Sequence, residues 1–379
     1  MGRMILAACV AATLAACTAK PADQVAEAEP PKADAAKYQV AAVAEGLSFP
    51  WSIAFLPDGS MLVTEKEGRL RVIRDGKLLA EPVRGVPPVL FDGQGGLFQV
   101  SLHPRFAENN WIYLTYAAGT EGANATRLTR ATFKDAALSD VTALFSAQPA
   151  KSGTAHFGGR IAWLPDETLL LTLGDGFSYR TKAQALDSDL GKIVRLRDDG
   201  TPAPDNPFVS KAGARPEIYT LGHRNVQGIA RDSVSGAIYA HEHGPMGGDE
   251  INLIQAGRNY GWPIITYGRD YTGAQISPFT ARAGLEQPLV YWVPSIAPSG
   301  MTIVTKDLFP AWKGDLLVSA LAGMQVRRVH LQGGKVESQE VLFGELGERI
   351  RDVAEAPDGS LYLLTDSAEG KVLRVTPKP

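Results

Sequence analysis

Cysteine is all but missing from this 379-residue chain: Cys9 and Cys17 are the only two, both near the N-terminus. The rest of the sequence has no pair from which to build an internal disulfide, so its stability must come from packing, turns and any bound metal. An excess of charge is missing as well. Lysine and arginine number 38 against 41 acidic residues, a formal −3, which excludes the broad basic surface that a nucleic-acid partner needs. From Tyr38 onward a convincing amphipathic helix is also absent. What is present is apolar material, 45% of the chain, enough to bury a real core in one large domain or two ordinary ones.

The first residues, MGRMILAACVAATLAACTAK, have a basic start at Arg3, a short apolar run and small residues ahead of Cys17. That is the shape of an export signal, too short for a stable membrane anchor. Leu14-Ala15-Ala16-Cys17 resembles a bacterial lipobox, and the resemblance implies a signal peptide over 1–16 and lipid on the sulfur of Cys17. The protein would face the periplasm, touching membrane only through that anchor. Thr18 stands where an acidic residue would favour inner-membrane retention, so the outer membrane is expected. Cys9 lies in a similar string behind too short an apolar run. Residues 17–37 are Ala, Pro and charge with no aromatic before the end, a composition that predicts a disordered linker. The folded domain is expected over 38–379.

Short β-branched runs between Gly, Pro, Asp and Asn turns give an all-β signal. The pattern repeats. FPWSIAFLPDGSMLVTEKEGRLRVIRDG (49–76), HFGGRIAWLPDETLLLTLGDG (156–176) and RIRDVAEAPDGSLYLLTDSAEGKVLRVTP (349–377) each read strand, Pro-Asp turn, strand, polar turn. Looser copies occupy 95–117, 225–245 and 298–323. Six units of roughly 55 residues predict a six-bladed β-propeller of four-stranded antiparallel blades. A sandwich does not predict a sixfold recurrence. The run from Tyr38 to Ala42 is expected to pair with the last blade and close the ring.

In a propeller the first strand of each blade lines the central channel and the first hairpin returns to the same mouth. Equivalent repeat positions therefore converge: Pro50-Trp51, Gln94 with Gly95-Gly96, His156, Arg224-Asn225, Pro298-Ser299-Gly300, and Arg349 with Arg351. The returning partners are Glu65, Asp175, Gly244-Pro245 and Ala320 to Gly323. Three arginines at one mouth imply a bound anion with several acidic groups, since each guanidinium offers a fixed fork to a carboxylate. The hairpin sets Asp175 beside His156, where a carboxylate on the distal nitrogen would fix the tautomer and raise basicity, as a general base requires. Asp175 as a simple cap of its Gly-Asp-Gly turn stays open. The two glycines after His156 read as a place where a flat ligand lies close to the backbone.

The segment HEHGPMGGDEINLIQAGRNYGWP (241–263) carries His241, Glu242, His243, Asp249 and Glu250 among glycines. Two histidines at i, i+2 without a third nitrogen or sulfur ligand make a poor zinc site. Carboxylates and freed carbonyls in a glycine-rich loop suit calcium better, and a charged inter-blade loop is the plain alternative.

Taken in order, FPWSIAFLPDG, DGQGGLFQVSLHP, HFGGRIAW, LTLGDG, GKIVRL with DNPF, LGHRNVQG, HGPMGGDEINLI, NYGWP and RIRDV resemble the soluble quinoprotein glucose and aldose sugar dehydrogenases, the glucose/sorbosone dehydrogenase family. The resemblance implies a propeller holding pyrroloquinoline quinone (PQQ) with Ca²⁺ at the channel mouth, and oxidation of an aldose substrate at its anomeric carbon to a lactone. Electrons would pass to an external acceptor. His156 matches the family's base and Asp175 its orienting carboxylate. Gln94, Arg224, Asn225, Tyr271, Arg349 and Arg351 match cofactor contacts. Gly244 and Pro245 match carbonyl donors to the cofactor's calcium, and Glu250 with Tyr260 a calcium site of the aldose branch. Where relatives carry a lysine, in a string like Ser-Leu-Lys, this chain has Ala320-Leu321-Ala322, a change expected to weaken quinone binding by about 1.5–3 kcal/mol, the range of a charge-assisted hydrogen bond. Two other readings remain: a calcium-dependent lactonase-type propeller hydrolase, and a propeller that binds without chemistry.

Overall fold

Apolar runs broken by tight Asp turns fold into six separate four-stranded antiparallel sheets. The turn chemistry is visible in three blades. Asp58 accepts from the Ser60 amide at 2.9 Å and hydroxyl at 2.5 Å, Asp358 does the same with Ser360, and Asp166 with Thr168. Each carboxylate thus holds a turn that reverses an inner strand into its neighbour. The left-handed position is glycine at Gly59 and Gly359, while Glu167 occupies it at φ +63° in the third blade.

The computed structural model describes residues 30–33 and 37–378. The innermost strands are Pro50–Phe55, Leu97–Leu102, Gly158–Trp163, Val226–Arg231, Pro298–Ile303 and Ile350–Glu355, which begin blades 1 to 6 in turn. Each packs on the next, and the sixth returns to the first, so the sheets form a closed six-bladed propeller. The second strands, such as Met61–Glu65 and Leu169–Leu173, are buried at every residue because sheets face them on both sides. Tyr38–Leu47 is the outermost strand of blade 6, beside Gly370–Pro377. First and last segments thus share one sheet, as expected, and leave no open seam.

Among the described residues the helices are a four-residue α-turn at Phe106–Asn109 and short 3₁₀ turns. The signal peptide, Cys17 and most of the linker lie outside the described residues. Within the segment expected to be a linker, Val341 of blade 5 donates to the Pro31 carbonyl at 2.9 Å and accepts from the Ala33 amide at 2.8 Å.

The channel is filled below its mouth. Arg160 lies across it, donating to the Gln227 and Ser299 carbonyls at 2.9 and 3.0 Å, pairing with Asp352 at 3.1 Å and stacking on Trp51. This buried crosspiece ties blade 3 to four others and gives the mouth a floor.

Candidate active site

The strand registers bring the expected positions together. In blade 3 Gly158 pairs with Leu173, so His156 and Asp175 meet just beyond the ends of their two strands. His156 Nδ1 is 2.7 Å from Asp175 Oδ1 and both side chains are buried. Because a carboxylate only accepts, Nδ1 carries the proton and Nε2 presents its lone pair. Nε2 has no hydrogen-bond partner among the described residues. Asp175 is held in turn by the Trp262 indole N–H and the Phe177 amide, each at 2.8 Å. Burial pushes the His156 pKa below the usual histidine range; the hydrogen bond that Nδ1 donates to Asp175 opposes this, and Arg224 and Lys151 reinforce it. The imidazole is therefore neutral, and able to accept a proton, at neutral pH.

The backbone of His156 stands at φ +53°, with its amide donating to Gln94 Oε1 at 2.8 Å. A residue with a β-carbon loses on the order of 1 kcal/mol or more in this left-handed conformation. The two glycines that follow are required by packing. A Cβ on Gly158 would lie 2.5 Å from the Thr172 carbonyl oxygen, and one on Gly159 2.7 Å from the Phe98 ring.

Two cavities flank the histidine. The axial one, about 270 Å³, is bordered by Gln94, Asn225, Arg349 and Arg351, together with Lys66 and Asp366. The outer one, about 430 Å³, is bordered by Phe177, Arg224, Pro245, Trp262 and Tyr271. Phe157 and Gly158, which follow His156, line the first; Phe177, edge-on to the imidazole at 5.1 Å, lines the second and stacks with Tyr271. Arg349 and Arg351 each donate Nε and Nη2 to Asp366, at 2.9 to 3.2 Å. Arg224 rests on Trp262 and donates to the Gly244 carbonyl at 2.8 Å. The Asn225 amide oxygen accepts from Gly158 N and Gln227 at 3.2 Å.

Residues 47–374 match the glucose/sorbosone dehydrogenase family. The chain belongs to that family. It is similar to aldose sugar dehydrogenase YliI of Escherichia coli, 42% identical over 90% of this chain and 94% of that one. Quinoprotein glucose dehydrogenase B of Acinetobacter calcoaceticus is 26% identical over 89% and 87%. Among solved structures, the PQQ-bound aldose sugar dehydrogenase of Streptomyces coelicolor superposes with a TM-score of 0.75 at 29% identity, covering 92% of this chain and all of that one. These relatives are sugar dehydrogenases.

In this family member the residues matched to a separate calcium site lie away from the mouth. Glu250 lies opposite Glu242 on adjacent strands of blade 4, with Asn252 donating to both at 3.4 Å, and burial followed by the Glu242 charge pushes its carboxyl well above the usual range. Tyr260 stacks on His223 and donates its hydroxyl to the Leu253 carbonyl at 2.7 Å. Neither borders either cavity. His241 and His243 are buried against the Gly300 and Pro298 carbonyls, and burial holds His243 down at about 3. Among the described residues no group of three His, Cys, Asp or Glu is placed to hold a metal. Lys66, Asp366 and Trp262 were missed by sequence reasoning. Asp366 follows Thr365, the returning end of blade 6, and Lys66 follows Glu65, the returning end of blade 1. The repeat logic that found Asp175 therefore reaches both. Trp262 belongs to the quoted NYGWP string, but nothing local joins it to Asp175, 87 residues away.

Proposed function

We propose that the protein is a PQQ-dependent aldose dehydrogenase that oxidises sugars at the anomeric carbon to lactones and delivers electrons to an external acceptor. The observation that carries this reading is the buried His156–Asp175 pair, whose chain neighbours border both a cationic axial cavity and an outer one walled by Phe177, Trp262 and Tyr271. The axial cavity suits a polycarboxylate: Lys66, Arg349 and Arg351 face a single acid, Asp366, and Gln94 and Asn225 add neutral polar groups. Bound there, the quinone supplies a two-electron acceptor for hydride. His156 Nε2 takes the proton of the anomeric hydroxyl as the C–H pair leaves and the C=O bond forms. Asp175 keeps the proton on Nδ1 and stabilises the imidazolium that results. Phe177, Tyr271 and Trp262 offer aromatic faces to the sugar ring. That single acid is also the wrong donor set for a hydrolase built around an axial metal, which needs several oxygen ligands.

Calcium fits less well. The Gly244 carbonyl already accepts from Arg224, whose positive charge works against a second cation at that oxygen. The test is a titration of purified apo protein with PQQ, with calcium and with EDTA, followed by dye-linked oxidation of a panel of aldoses. Binding with aldose turnover is expected. A protein that turns over no aldose at saturating quinone is not the enzyme described. Equal affinity in calcium and EDTA would remove the metal from the scheme. For the N-terminal segment we propose a lipoprotein anchored at Cys17 in the outer membrane, facing the periplasm; Cys17→Ser should shift the protein to the soluble fraction, and unchanged membrane association would refute the anchor.

A further inference from the structure

We propose that Lys66 is the third cation of the axial cavity and receives a carboxylate of the anionic ligand bound there. This rests on the quinone reading above and adds a binding residue to it.

Three observations carry the assignment. The first is that blade 5 turns an apolar side chain to the ligand: Leu321 borders the axial cavity, whereas Ala322 borders a separate one with Tyr291 and Trp292. Its amide is tied to the Ile296 carbonyl at 3.1 Å. Blade 5 therefore supplies no charge at this wall.

The second is that Lys66 is built in from both sides. Its amide donates to the Phe49 carbonyl at 3.1 Å, and its carbonyl accepts from Leu97 at 2.9 Å. Gly96 lies under its stem, where a Cβ would come within 2.6 Å of Lys66 Cγ. Nζ donates to the Gly93 carbonyl at 2.7 Å, which leaves two of its three protons for a ligand.

The third is the charge balance of the corner. Arg349 and Arg351 share Asp366, so three cations stand against one carboxylate. Burial, then the neighbouring Arg351 charge, draws Lys66 below the usual lysine range, while Asp366 and Asp92 oppose this. An incoming carboxylate relieves that imbalance, and an ammonium on a flexible stem can reach it while Nη1 of each guanidinium, which Asp366 does not engage, stays available as a donor.

The experiment titrates apo wild type, Lys66→Met, Lys66→Gln and Lys66→Arg with PQQ, reading tryptophan fluorescence, which Trp51 in the cavity wall should report. Thermal melts of the apo proteins run alongside. Met keeps the stem and loses the charge; Gln also keeps a donor for Gly93. Both neutral variants should bind about tenfold or more weakly, as loss of a charge-assisted hydrogen bond implies, with a shallower dependence on ionic strength. Arg should stay near wild type. If wild type binds and the neutral variants match it, the role of Lys66 is refuted and the functional reading stands. If wild type does not bind PQQ at all, that reading fails and this inference falls with it.

Discussion

Replacing Asp175 with asparagine tests how the base is made. In the wild type Oδ1 accepts from both His156 Nδ1 at 2.7 Å and the Phe177 amide at 2.8 Å, while Oδ2 accepts from Trp262 at 2.8 Å. Asparagine has one acceptor oxygen and cannot serve both sides. With its oxygen toward His156 and Phe177, the indole N–H of Trp262 loses its partner. With its oxygen toward Trp262, the amide donates to Nδ1, the imidazole proton moves to Nε2, and the base is blocked. Either way one buried donor is left unpaired, a cost of about 1–3 kcal/mol in stability. The negative charge that stabilises the imidazolium is also gone. The kcat for aldose oxidation should therefore fall by about 10²- to 10⁴-fold, the range of general-base catalysis. The pH profile supplies a second readout. Activity requires neutral His156, whose pKa lies below the usual value, so activity persists below that value and is lost as pH falls through the shifted pKa. Asp175 opposes the shift, so its removal should move the acid limb to still lower pH. The assay is dye-linked oxidation at saturating quinone across pH. A variant with near-wild-type kcat and an unmoved limb would refute the assignment.

Lys151→Met should act in the opposite direction on the same limb. Its ammonium, bonded to Asn124 Oδ1 and the Gly153 carbonyl at 2.9 Å and drawn down to about 8 by burial, is a cation that depresses His156. Its loss should move the acid limb of kcat/KM to higher pH, and no movement would remove it from the electrostatics of the base. Asp352→Asn should leave the Arg160 charge buried without its partner and lower stability by about 3–5 kcal/mol in urea denaturation; both side chains are under 10% exposed. A loss of a few tenths would mean that the carbonyls of Gln227 and Ser299 suffice.

Much of the fold was legible because it is written in a local, repeated unit. The Asp turns, the buried runs around them and the first strand at Tyr38 each follow from a few neighbouring residues, and six copies make the ring. The site was legible to the extent that it uses those repeat positions: His156, Asp175, Gln94, Arg224, Asn225, Arg349 and Arg351 all fall at strand ends. Two kinds of information were not local. Long-range partners, such as Trp262 on Asp175 or Asp366 between two arginines, depend on which loops meet in space. A second claim on one atom is likewise invisible in a motif, and the Gly244 carbonyl, expected to face calcium, also accepts from Arg224. The two glycines after His156 show the same lesson, since the Thr172 carbonyl and the Phe98 ring that exclude a Cβ there come from other strands.

The proposed removal of the sugar hydroxyl proton by His156 Nε2 is decided by His156→Gln, assayed for quinone affinity by titration and for aldose turnover at saturating quinone. Quinone affinity should be retained, because the cationic corner is untouched, while kcat drops by about 10²-fold or more. Turnover close to wild type at full quinone occupancy would contradict it.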